Sequence, residues 1–391
     1  MEIYLDNAAT TPCDREVARL MSEYYTEEYG NPSSAHARGF QAEQRLKEAA
    51  EQIAKTLKCK PKELIFTSGG TESDNLALRG IAHAYKRQGK RIITSAVEHS
   101  AVSATCKALE EEGFEIVTVP VDACGVLCPE ELEKALTDDT ILVSVMTVNN
   151  EIGSIQPLAR IGQMMKERAP KAFFHTDAVQ GYGKTEIDLK GMQIDALSVS
   201  AHKLHGPKGT GFLYLRDGVR IEPLLTGGGQ QQGLRPGTID VPAICGMAMA
   251  AEKACAARAT QMARLEEIRK AFCDTVRGKL ADVLVNGPAG GDAKAQEHAA
   301  AHIISLTVTG VRSEVLMHAL EDRGIYVSAG SACSTHRVTA SATLRAIGLT
   351  DEDAASTIRI SMSADTRGEE MEQTAQALAE LVPQLRKYRA G

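Results

Sequence analysis

Tryptophan is absent from these 391 residues, and aromatic side chains of all kinds make up only 4% of them. A cationic surplus is missing as well. The formal net charge is −7 and no basic run offsets it, which argues against nucleic acid or an anionic membrane as a direct partner. No stretch approaches the roughly 20 apolar residues that span a bilayer. The start, Met1-Glu2-Ile3-Tyr4-Leu5-Asp6, has neither a basic n-region nor an apolar core, so no secretion signal is expected. The nine cysteines are odd in number and contain no Cys-x-x-Cys pair. That disfavours a disulfide framework or a zinc site and fits reduced thiols in the cytoplasm. Internal repeats and low-complexity linkers are also lacking.

What is present is the composition of an ordinary globular protein, 43% hydrophobic and 24% charged, long enough for two packed domains. Strand and helix patterns alternate through the first half. Strands are expected at 63–68, 91–96, 114–121, 141–148, 172–176, 195–201 and 209–215, with a helix opening at 72–76 and others near 100–113, 129–136 and 158–169 between them. This is the pattern of a mostly parallel sheet covered on both faces. An Ala-rich helix over 241–280 leads to a second alternating region, with strands near 302–308, 325–327 and 357–362 and a C-terminal helix from 369.

Ligands of such sheets lie beyond the carboxyl ends of the strands, and the chemically interesting residues fall there repeatedly. Gly69-Gly70-Thr71 follows a strand and opens a helix, an arrangement that favours phosphate. Glu98-His99, Asn149-Asn150-Glu151, Asp177 with Gln180, and Ser200-Ala201-His202-Lys203 follow other strands. A single lysine in a turn is usually a surface residue. At the mouth of a buried strand, however, desolvation lowers its pKa and leaves a nucleophilic amine. Paired with an acid on a neighbouring strand, it meets the two needs of pyridoxal phosphate (PLP), a Schiff-base lysine and a partner for the pyridinium.

Taken in order, Leu5-Asp6-Asn7-Ala8-Ala9-Thr10-Thr11, Thr67-Ser68-Gly69-Gly70-Thr71-Glu72-Ser73-Asp74-Asn75, Glu98-His99, Val148-Asn149-Asn150-Glu151, Asp177-Ala178-Val179-Gln180, Ser200-Ala201-His202-Lys203, the loop from Gly227 and Gly330-Ser331-Ala332-Cys333 carry a resemblance. The chain resembles the cysteine desulfurases of the NifS/IscS type, in the aminotransferase class V fold group. The resemblance implies an α/β, PLP-dependent transferase of fold type I. Its large domain, residues 15–250, would hold a mostly parallel seven-stranded sheet; a smaller α+β domain, 1–14 with 251–391, would carry the Cys333 loop.

It also implies roles. Lys203 carries PLP and moves the Cα proton; Asp177 pairs with the pyridinium; His99 stacks on the ring and acts as an acid–base group. Gln180 bonds the ring hydroxyl oxygen, and Asn150 contacts cofactor and substrate. Gly70, Thr71, Ser200 and His202 hold the phosphate, joined by Thr238 from the second subunit of a homodimer. Arg359 binds the substrate carboxylate, and Cys333 accepts sulfur from L-cysteine, leaving L-alanine. A sulfur-acceptor protein, such as an iron–sulfur scaffold or a thiolation enzyme, would take it onward in the cytoplasm. A selenocysteine lyase or another PLP enzyme of the same fold group is the alternative. No metal is implied. One departure from the group stands out: Gln231 and Gln232 replace a charged pair after the triple glycine.

Overall fold

The alternating first half folds into one seven-stranded sheet in the computed structural model, which describes residues 2–329 and 341–389. Its strands are β2 (Leu64–Thr67), β3 (Arg91–Ser95), β4 (Glu115–Val119), β5 (Thr140–Ser144), β6 (Phe173–Asp177), β7 (Ala196–Ser200) and β8 (Gly211–Leu215), in the spatial order β2-β8-β7-β6-β5-β3-β4. All adjacent pairs from β7 across to β4 are parallel, whereas β8 runs antiparallel to both its neighbours. The central strands read as unbroken apolar runs because both faces are covered. Alternate residues of β5 serve opposite cores: Val143 packs with the helices Ala37–Leu57 and Leu158–Arg168, and Leu142 with Gly70–Tyr85 and Ser100–Glu111. The expected order of elements is present, with ends shifted by a residue or two. The strand expected over 141–148 is regular only to Ser144. Beyond it Val145 and Thr147 still donate to the carbonyls of His175 and Asp177, and Val148 bridges Ile155, beginning the turn that carries Asn149 and Asn150.

A second sheet holds β9 (Val283–Asn286), β10 (Ile303–Val308), β12 (Ser328–Ala329) and β13 (Thr357–Ser361) in the order β12-β13-β10-β9, every pair antiparallel. The helix Val241–Lys279 links the two regions. Its first turns bury Val241, Ile244 and Met247 in the core of the large sheet, and its last bury Phe272 and Val276 in the core of the small one. At 39 residues it is about 58 Å long.

The N-terminal segment crosses between the sheets. β1 (Ile3–Tyr4) pairs in parallel with β11 (Ile325–Tyr326). Residues 5–8 then bond to the end of β13, through Ser361 N–H to the Leu5 carbonyl (2.7 Å), Asn7 Nδ2 to the Ser361 carbonyl (2.9 Å) and Ala8 N–H to Ser361 Oγ (2.8 Å). Thr11 finally donates, from N–H and Oγ1, to the carbonyl of His202 at the end of β7.

Gln231 acquires a structural meaning. Its amide lies against the free edge of β2, accepting the Phe66 N–H at Oε1 (2.6 Å) and donating from Nε2 to the Phe66 carbonyl (2.9 Å). A primary amide can do both, and thus stands in for a strand residue; a carboxylate cannot donate. Gln231→Ala is expected to lower unfolding free energy by about 1–2 kcal/mol, read from the midpoint of urea denaturation. An unchanged midpoint would show that water replaces the amide without loss.

Candidate active site

Because β2 and the parallel strands share one direction, Thr67, Ser95, Asp177 and Ser200 all end at the same edge of the sheet. A cavity of about 250 Å³ lies there. Gly70, Thr71, His99, Asn150, Asp177, Gln180, Ser200, His202 and Lys203 line it, together with Asp74, Ala8, Met146, Val148 and Val179. A larger cavity of about 660 Å³ lies beside Cys59, Lys166 and Asp195 and holds none of the expected residues. Chemistry, not volume, selects the smaller one.

One end of the cavity suits an anion. The helix Gly70–Tyr85 presents its N-terminus there, where unsatisfied N–H groups and the helix dipole favour negative charge. Gly70 permits the approach, since a Cβ on it would meet Val179 Cγ2 at 2.6 Å. Ser200 and His202 face the same cavity. His202 Nδ1 shares a hydrogen bond with Thr10 Oγ1 (3.1 Å), and burial, with nearby Lys203, pushes its pKa down to about 4. A neutral imidazole is therefore what this site offers a phosphate.

The opposite end is acidic and dry. Asp177, 4% exposed, accepts the Val179 N–H at Oδ1 (2.9 Å). Burial pushes its pKa up, while that bond, His99 and Lys203 pull it back. Behind it lie two further carboxyls. Asp74 is 1% exposed, its Oδ1 accepts no hydrogen bond among the described residues, and burial and Asp177 push its pKa well up. Glu98 bonds Ser95 Oγ (2.5 Å) and the Met146 N–H (3.0 Å), and burial pushes it up to about 8. His175 sits between Ser144 and Ser198, 3.6 Å from Asp74, and burial pushes it down to about 3. His99 caps the helix Ser100–Glu111 by accepting the Ala101 N–H at Nδ1 (3.1 Å). That bond fixes the tautomer with the proton on Nε2.

Lys203 Nζ donates to the carbonyls of Ala8 and Ala9, both at 2.6 Å. Burial and then Arg359 push its pKa down to about 8, against a smaller upward pull from Asp177 and Asp6. Arg359 on β13 is 5% exposed; its Nη2 meets Asp6 Oδ1 at 2.7 Å and its Nη1 the Asn150 carbonyl at 3.0 Å. Thr238 is exposed and does not line its own chain's cavity. Cys333 lies outside the described residues.

These residues fit PLP: an anion cradle, an acid opposite it and a lysine with a lowered pKa. Gln180 adds a further sign. Its Nε2 is held by the Ala8 carbonyl (2.9 Å), while its buried Oε1 has no partner among the described residues and is free to meet a ring hydroxyl. Asp6, Asp74, Glu98 and His175 are the site residues that motif reading left without roles.

Fold and site together define a PLP-dependent enzyme, and the chain belongs to the aminotransferase class-V family, whose model matches residues 3–374. Within that family it has cysteine desulfurases among its relatives. It is 42% identical over 385 residues to cysteine desulfurase IscS of Dictyoglomus turgidum, covering 98% of this chain and 95% of that protein. It is 43% identical over 391 residues to cysteine desulfurase IscS of Escherichia coli, covering 99% and 94%. Among solved structures it resembles a NifS-like protein with a TM-score of 0.91 at 37% identity, covering 98% of this chain and all of that one. It also resembles SspA in complex with cysteine, with a TM-score of 0.79 at 34% identity, covering 93% and 99%.

Proposed function

We propose that this enzyme takes sulfur from L-cysteine onto Cys333 as a persulfide, releases L-alanine and passes the sulfur to an acceptor protein. The observation that carries this reading is the meeting of Lys203, Asp177 and the phosphate cradle in one cavity, with Arg359 beside it. PLP, when bound, supplies the electron sink that labilises bonds at the substrate's Cα and Cβ. Arg359 receives the substrate carboxylate, a task suited to its planar fork. Lys203, neutral in an appreciable fraction near pH 8, takes the Cα proton and returns it. With the cofactor bound, Asp177 would keep a proton at the ring nitrogen, and His99 would offer its Nε2–H to the reactants.

The Cys333 thiolate attacks the substrate sulfur; an S–S bond forms, the Cβ–S bond breaks, and Cβ gains a proton. Support comes from the residues flanking 330–340. Ser328 pairs with Arg359 across β12 and β13, and Ser341 Oγ donates to Glu151 Oε2 (2.5 Å), beside Asn150. Both flanks are therefore tied to the site. Homodimerisation, with Thr238 completing the partner's phosphate site, belongs to the same reading. So do the division into residues 15–250 and 1–14 with 251–391, cytoplasmic location, and delivery to an iron–sulfur scaffold or a thiolation enzyme. Mass spectrometry after addition of L-cysteine tests it. One added sulfur is expected on Cys333 and lost in Cys333→Ala; sulfur on another cysteine, or full sulfide release by the variant, would refute it.

A further inference from the structure

We infer that Asp6 is the resident counter-ion of Arg359 and a specificity-determining residue, which the substrate's carboxylate must displace. The inference rests on the reading of Arg359 as the carboxylate receptor. The guanidinium has five N–H donors in a fixed fork, and Nε with Nη2 forms one edge that grips a carboxylate with two parallel bonds. In this structure Asp6 takes one of the two N–H donors of Nη2. Its Oδ1 takes Nη2 at 2.7 Å, while Nε is buried and has no partner among the described residues. The other arm, Nη1, is committed to the Asn150 carbonyl. A substrate carboxylate that took both Nε and Nη2 would replace one bond by two.

Asp6 can yield without disturbing the fold. Its backbone is fixed by the bridge to Ser361 and by Tyr4 Oη on its carbonyl (3.3 Å). Its side chain is 24% exposed, against 6% for that of Arg359, so the carboxylate has solvent to turn towards. The exchange also keeps the charge near Lys203 constant. Lys203 is faced by Asp177, Arg359, Asp6 and Lys184, with His202 beside it. Of these, Arg359 disfavours the ammonium form and Asp6 favours it. An α-carboxylate restores the anion that Asp6 withdraws; an ester or amide does not. Asp6 thus filters for free amino acids.

The test uses the PLP-loaded enzyme and L-alanine, the expected product, as a probe with no sulfur to transfer. In Asp6→Asn, loss of the competing charge should tighten L-alanine binding about three- to tenfold. The apparent pKa of the lysine–cofactor absorbance band should fall by about one unit. Asp6→Ser should move both in the same directions, so a folding defect in one variant does not decide the matter. L-alanine amide should bind no more tightly to either variant. Weaker L-alanine binding with an unmoved absorbance titration would make Asp6 a strut and overturn the inference. Arg359→Gln separates the two readings. If that variant keeps wild-type affinity for L-alanine, the assignment of Arg359 itself fails, whatever Asp6 does.

Discussion

Lys203→Ala is expected to lose turnover on L-cysteine by about 10²–10⁴-fold or more and to form no borohydride-reducible bond with PLP at that position. The wild-type chain, stripped of cofactor, should form that bond with a pH midpoint near 8, since burial and Arg359 hold Lys203 there. An unperturbed lysine would give about 10.4. The direction follows from the chemistry: only the neutral amine attacks the aldehyde, so the rate rises as pH climbs through the folded pKa. At pH 7 roughly a tenth of Lys203 is neutral, against well under a thousandth for a free lysine. Lys184, which burial pushes down to about 7, is a competitor for the reagent. Peptide mapping of the reduced adduct must therefore place it on Lys203. A midpoint near 10, or an adduct on Lys184 alone, would sink the assignment.

Asp177→Asn should cost about 10²–10³-fold in kcat/KM, the usual loss when one preorganised charge partner is removed from a dry site. Three buried carboxyls, Asp177, Asp74 and Glu98, cluster at one end of the cavity, and like charges so close cannot all ionise. Asp177 has the help of the Val179 N–H, His99 and Lys203. Glu98, pushed up to about 8, retains its proton at neutral pH, and Asp74 is driven the same way. Of the three, Asp177 is the one whose charge Lys203 and His99 favour. Glu98→Gln, which replaces a neutral acid by a neutral amide, should consequently change kcat/KM by less than about tenfold. Equal losses in the two variants would show that the charge is shared, not assigned.

The strand-end residues were legible in the sequence because apolar runs bounded by turns fix where a parallel sheet presents its ligands. Lys203, Asp177, Thr71 and Ser200 could be placed at one edge from that rule alone. Asp6 could not be given a task, although its motif was visible, because the guanidinium it holds is 353 residues away. Asp74 reads locally as an acid in the first turns of a helix, which the dipole already explains; only the packing of that helix puts it behind Asp177. His175 looks like any strand residue until Ser144 and Ser198 flank it on neighbouring strands. With Gln231 the reverse held. The departure was plain in the sequence, but the Phe66 backbone it meets comes from a distant strand edge.

The crossing N-terminal segment sets the timing of the enzyme's own making. Asn7 finds its partner Ser361 only after 354 further positions have been joined. At about 5–20 residues per second, that is a wait of roughly 20–70 s on the ribosome. Gln180 and His202 can anchor Ala8 and Thr11 earlier, but the Ala8 N–H lacks its Ser361 partner until β13 is made. A nascent chain can build the large sheet early, yet Arg359, which helps lower the pKa of Lys203, arrives only with β13. The electrostatic setting of the lysine is thereby completed last.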